Sequence, residues 1–233
     1  MLKRALAALS LTAALAACTT IDPVLVMPQD ITSAETSTET LPRLRDTRNN
    51  RYEALGYSGV TEWRASQTTT NSLSRIDTRL FATVEAEGLP VLAARCTASR
   101  SDILIEIGSF PLGFPIDEPS LFCRFQERGN DINAALGLEE GEGRTFGTSR
   151  EGIVRFGART WDITSLHKIE QTKVGVPMPI GFRISRGDET LAVVDLTDIR
   201  ADVTLRDDLT AEERQRAMLT AVILSAYIDP DDY

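Results

Sequence analysis

Apolar and polar positions divide the chain into four stretches. Residues 5–17 (ALAALSLTAALAA) are an apolar run behind Lys3 and Arg4. Residues 18–58 are mostly polar: 31–40 is largely Ser, Thr and Glu, and 41–51 is basic. So little apolar surface cannot offset the entropy of ordering. The stretch therefore reads as a flexible tether with a reach of roughly 35 Å, although 23–27 (PVLVM) could pack along a domain.

From about Gly59 to 207 the period becomes two, the signature of half-buried strands. Over 75–85, Ile76, Thr78, Leu80, Ala82 and Val84 share one face, with Arg75, Asp77, Arg79 and Glu85 on the other. Residues 91–96 and 102–107 alternate in the same way, and the polar break at 99–101 suggests a hairpin between them. Residues 121–126, 153–163, 180–185 and 190–196 are further strand candidates, with a turn at 186–188. Residues 137–143 (GLEEGEG) read as a mobile acidic loop. Short strands between turn signals predict a mainly β domain, a single β-sandwich or barrel. The last stretch, 208–229, is a helix. Thr210 and Glu213 form a capping box, Pro230 stops it, and its wide apolar stripe predicts packing over a sheet face or a barrel end.

The first stretch is too short to span a bilayer, which takes roughly 20 apolar residues, and it fits a secretory signal. Leu-Ala-Ala-Cys at 15–18 matches the bacterial lipobox. The match implies cleavage after residue 17, lipidation of Cys18 and stable anchoring by several acyl chains. Thr19, in place of Asp, resembles an outer-membrane sorting signal and implies an anchor on the periplasmic face of that membrane. The later apolar run 218–228 is also too short to cross.

Acidic residues outnumber basic ones by 34 to 25. Loss of Lys3 and Arg4 with the signal takes the net charge from -9 to near -11. Nucleic acid is excluded as a partner, because its binding rests on Lys and Arg neutralising phosphates. Direct adsorption to anionic lipid is disfavoured. A cationic partner would suit the charge, which also serves solubility alone.

Cys96 and Cys123 sit on the apolar sides of their strand patterns. Export permits a disulfide between them, the alternative being two buried free thiols. The bridge would close a loop of about 27 residues and stabilise by about 3 kcal/mol in the chain-entropy model. No catalytic, metal or cofactor site emerges. There is one histidine, His167, and its neighbours match no nucleophile motif; a solvent-facing or capping role is expected. The acid pairs Glu139-Glu140, Asp207-Asp208, Glu212-Glu213 and Asp231-Asp232 fall in predicted loops or at a helix start. Trp63 and Trp161 read as core residues, or else as binding hot spots.

The order of features from Trp63 to about Leu205 resembles the VasI/TagO-like accessory proteins of type VI secretion. The resemblance is carried by Trp-Arg-Ala-Ser-Gln-Thr at 63–68, Glu-Ala-Glu-Gly at 85–88 and Leu-Ala-Ala-Arg-Cys at 92–96, then Cys-Arg-Phe at 123–125 and Phe-Arg-Ile-Ser-Arg-Gly at 182–187. It implies an envelope protein that binds rather than catalyses. The expectation is a lipid-anchored, non-enzymatic interaction or assembly module with an envelope protein partner. The alternatives are an inhibitor of a cationic exported enzyme such as lysozyme, and an envelope hydrolase using carboxylates. If the lipobox is read correctly, Cys18→Ser leaves the precursor uncut by the lipoprotein peptidase and abolishes fatty-acid labelling. Label retained on a mature Cys18→Ser protein would contradict it.

Overall fold

The computed structural model describes residues 23–42, 44, 49–70, 73–107, 110–115, 120–141, 149–171 and 175–227. The predicted signal, Cys18, Asp231 and Asp232 lie outside them. After a one-turn helix α1 (Gln29–Thr32) come the strands β1 (Thr36–Thr40), β2 (Asn49–Ala54), β3 (Tyr57–Thr70), β4 (Leu73–Val84), β5 (Leu92–Ile107), β6 (Phe110–Pro115) and β7 (Ser120–Glu127). They continue with β8 (Asn130–Glu140), β9 (Arg150–Phe156), β10 (Arg159–Leu166), β11 (Gly181–Arg186), β12 (Glu189–Asp195) and β13 (Asp202–Arg206), and the chain ends in helix α2 (Ala211–Ala226). The strands form one antiparallel sheet in the order β1-β13-β12-β11-β10-β9-β8-β7-β5-β4-β3-β2, with β6 attached to β5. The sheet curls into a nearly closed barrel. At the seam between its end strands, the Leu55 N–H donates to the Glu39 carboxylate at 2.5 Å.

The barrel closes around α2. Residues 217–226 (AMLTAVILSA) carry no charge, and all of them are buried. A helix apolar all round must be enclosed on every side. Its Thr220 and Ser225 hydroxyls donate to the carbonyls of Arg216 and Ala221 one turn back, so burial leaves both donors satisfied. The helix packs against β3, β4 and β5 on one side and β11, β12 and β13 on the other. There the strands turn small side chains inward, among them Ala82, Ala94, Ala98 and Ala192. The rest of the interior is filled by aromatic rings from β7, β9 and β10. Phe125 meets Phe156 edge-on at 4.9 Å, and Phe156 meets Trp161 at 5.4 Å.

The start of α2 is fixed at one rim of the barrel. Thr210 and Glu213 make the reciprocal capping box. Glu213 also accepts from Arg159 at 3.2 Å and Arg186 at 3.0 Å, on β10 and β11. Gln215 donates to the Pro90 carbonyl, between β4 and β5, at 2.7 Å. The Thr210 hydroxyl, more than the two arginines, holds the Glu213 carboxyl below its usual range.

The inward positions predicted on β4, β5 and β7 are buried, and Cys96 and Cys123 form a disulfide. They lie directly opposite each other on adjacent strands, with Cα atoms 4.0 Å apart. Trp161 is a core residue and Trp63 packs against the core. Of sandwich and barrel, the chain adopts the barrel-like form.

Five expectations are corrected. The described part of 23–58 is docked, not free: β1 pairs with β13, β2 pairs with β3, and Leu25, Ile31 and Leu41 are buried. Asp30 secures α1 by accepting from the Thr190 amide and hydroxyl at 2.5 and 2.8 Å. Burial would raise the Asp30 pKa, but these donors and Arg183 outweigh it and hold the carboxyl low. No hairpin forms at 99–101, because β5 runs unbroken through it. Gly137, Leu138, Glu139 and Glu140 belong to β8 rather than to a loop. Residues 153–163 contain a turn, at which Gly157 takes φ +62°, a value open to glycine. Finally, α2 lies inside the barrel instead of covering a face or an end.

The Glu213 contacts predict an acid dependence. Its folded pKa lies below the ordinary value of 4.5, so its stabilising contribution is complete above that pH and is lost as pH falls through the folded value. Glu213→Gln should cost about 1 kcal/mol at pH 7 and flatten the loss of stability below pH 4.5. Denaturant unfolding of both proteins at pH 7 and pH 4 measures this, and an unchanged midpoint at pH 7 would contradict it.

Candidate functional site

A broad concave surface lies on the outside of the barrel. Strands β7 to β10 turn their polar positions outward, and between them lies an open groove of about 1560 Å³. Its centre is one cross-strand row in which Phe122, Gly137, Ile153 and Asp162 lie side by side. Phe122 is 46% exposed and Ile153 is 44% exposed. Gly137 between them is the floor, and a Cβ there would meet no atom within 4 Å. Beneath it, Gly152 is required: a Cβ at that position would come within 2.1 Å of the Gly137 carbonyl oxygen. One glycine thus opens the groove and the other lets the strands approach beneath it.

The ends of the groove differ in charge. Arg124 and Arg155 flank Ala135 in one neighbouring row. In the other, Glu139 lies directly opposite Glu151. Like charges in that position are unfavourable, and among the described residues no Lys or Arg forms an ion pair with either. The sheet thus holds two carboxylates side by side at the open end of an apolar trough. Sequence reading misplaced Glu139 in a loop and gave Phe122, Gly137 and Ile153 no role. The alternation of 121–126 did place Phe122 on the outward face, where a large apolar side chain is a signal.

His167 follows β10 and is buried, not solvent-facing. The Val176 carbonyl can only accept, so His167 Nδ1 carries the proton in this 3.2 Å contact. Nε2 then accepts from the Ser165 hydroxyl at 2.8 Å, and the Ser165 oxygen accepts from the Arg150 amide at 2.8 Å. These bonds run from the Arg150 amide through Ser165 and His167 to the Val176 carbonyl. They pin 175–176 to the strand. Buried Arg150 is 3.8 Å from the Glu140 carboxylate.

The remaining candidates are structural. Asp207 pairs with Arg214, Asp208 with Arg206, and Glu212 with Arg216. Asp195 is pushed up by burial, with Asp202 and Asp198 adding to the effect against the Thr197 hydrogen bonds. Among the described residues, no group of three or more His, Cys, Asp or Glu is arranged to hold a metal ion. Within them no helix is long and apolar enough to cross a membrane. No protein-family model, no curated protein and no solved structure matches the chain.

The buried histidine carries a prediction. His167→Ala removes the hydrogen bonds to the Ser165 hydroxyl and the Val176 carbonyl and should cost about 1–3 kcal/mol of stability. Urea unfolding measures it, and an unshifted midpoint would mean that the hydrogen-bond chain does not form.

Proposed function

We propose that the protein is a lipid-anchored envelope module, held in the outer membrane through Cys18, that binds a protein partner in the groove over β7 to β10 and catalyses no reaction. The opposed pair Glu139 and Glu151 beside Phe122 and Ile153 carries this reading. A segment presenting a Lys or Arg next to an apolar side chain would relieve the carboxylate repulsion and cover the exposed apolar surface together. Charge complementarity of this kind fixes register and speeds encounter, and the apolar centre supplies the binding energy. The groove is wide and open. That suits an extended protein segment better than a small substrate, whose sites enclose most of the ligand surface. The lipobox supports the location, and the resemblance to secretion accessory proteins supports an assembly role.

An inhibitor of a cationic exported enzyme is the second reading, favoured by the same two glutamates. A photo-reactive phenylalanine analogue at Ile153, in the protein made in its own cells, tests both. It should give one discrete protein adduct, while the analogue at Ile199, exposed on the β12–β13 connection, should give none. Gly137→Leu fills open space and leaves the fold intact, and it should reduce the adduct at least tenfold. Glu139→Lys with Glu151→Lys should do the same. An adduct insensitive to Gly137→Leu, or equal adducts at both positions, would overturn the proposal. Identification of the crosslinked protein as a cationic hydrolase would favour the inhibitor.

A further inference from the structure

The groove over β7 to β10 carries both signs of charge, and the register fixes where each sign stands. Three rows cross the strands. Phe122, Gly137, Ile153 and Asp162 form the middle row. On one side of it lie Arg124, Ala135 and Arg155, and on the other Glu139 stands opposite Glu151. Each outer row is two residues along the strands from the middle one, about 7 Å. Arg124, Arg155, Glu139 and Glu151 are all exposed. Arg124 lies over the Phe122 ring, with 5.9 Å to its centroid. Among the described residues neither Arg124 nor Arg155 forms an ion pair, and Glu139 and Glu151 are in the same position.

Such a surface is complementary to itself. A two-fold axis that brings two copies face to face lies in the plane between them. Placed along the middle row, it turns each outer row onto the opposite outer row of the other copy. On β9, Arg155 then meets Glu151 of the second copy, and the reverse pair forms with it. On β8, Glu139 of the second copy comes over Ala135, in the gap between Arg124 and Arg155. A small residue at 135 leaves that gap open for a carboxylate. Phe122 and Ile153 each meet their own counterpart on the axis, and the open space above Gly137 gives these side chains room. Asp162 ends the row at its edge, diagonal to Arg155, a distance that a long side chain spans.

The same geometry separates a second copy from an unrelated partner. A foreign segment carrying a Lys or Arg beside an apolar residue would answer the two glutamates and the apolar row. It would leave Arg124 and Arg155 facing nothing. A second copy answers all four charges, and each contact occurs twice because a two-fold interface uses the same patch on both subunits. The net charge of -9 opposes association. Salt screens exposed charges beyond about 8 Å at physiological ionic strength, so the close pairs across the interface outweigh that repulsion.

We infer that the occupant of the groove is a second copy of this chain, related by a two-fold axis along the row from Phe122 to Ile153. This rests on the reading of the groove as a protein-binding surface and names its partner.

The test uses the full chain in its own cells, produced as two copies with different epitope tags and with the photo-reactive phenylalanine analogue at Ile153. Irradiation should give an adduct that carries both tags and yields peptides of this chain alone. Arg155→Glu in both copies sets glutamate against Glu151, and Glu151→Arg in both sets arginine against Arg155. Each should reduce the two-tag adduct at least tenfold. Both changes together in both copies restore opposite charges and should return at least a third of it. The doubly changed chain paired with the parent should give none. Thermal unfolding of each variant should match the parent, since both positions are exposed. A two-tag adduct indifferent to the single reversals overturns the inference. So does a double reversal that recovers nothing at an unchanged unfolding midpoint. An adduct with another protein, and none with both tags, overturns the second copy while the groove remains a protein-binding surface. No adduct of any kind at Ile153 overturns both readings.

Discussion

The structure depends on the enclosure of a helix that has no polar side. Between Ala217 and Ala226 every face of α2 is apolar or small, and a sheet that covered only one face would leave the others in water. At roughly 25 cal/mol per Å² of apolar surface buried, wrapping the helix on every side stabilises more than covering one face would. The curvature of the sheet, its near closure and the small inward residues on β4, β5 and β12 all answer that demand. Large rings fill the side of the interior formed by β7, β9 and β10, in the Phe125, Phe156 and Trp161 cluster.

The same constraint displaces function to the outside. A small barrel with an empty interior can hold a ligand, but this interior is occupied by α2 and the aromatic cluster. In the outer groove the outward positions break the rule that strands follow elsewhere. Phe122 and Ile153 are exposed where polar residues are expected, and Glu139 faces Glu151 where opposite charges would be stabilising. These violations oppose stability, and sequences retain such features chiefly where they serve binding.

Much of the architecture was legible in the chain because the strands of the barrel bury one face in a common core. Period two then shows without ambiguity, as at 76–84 and 121–125, and the capping box of Thr210 and Glu213 marks the helix start. The parts that were not legible share a physical cause: they depend on distant partners. Leu25, Ile31 and Leu41 are isolated apolar residues in a polar stretch, and only the surfaces of β11, β12 and α2 give them a place to pack. The Ser-Arg-Ser stretch at 99–101 has turn composition but lies within a ladder held by β4. The wide apolar stripe of 208–229 signalled burial, yet whether the sheet covers the helix or encloses it depends on how the end strands meet. In the groove, Gly137 carried no local signal, since its role exists only beside Phe122 and Ile153 on neighbouring strands.

Native-state hydrogen exchange along α2 tests the enclosure most directly. If the sheet wraps the helix as described, the amides of 218–226 exchange only by global unfolding. Their free energies of exchange then equal the unfolding free energy from denaturant titration and fall together as denaturant is added. Exchange of these amides through a separate opening, several kcal/mol below global unfolding while the β4, β5 and β12 amides stay protected, would show a helix that can leave the barrel. That result would contradict the account.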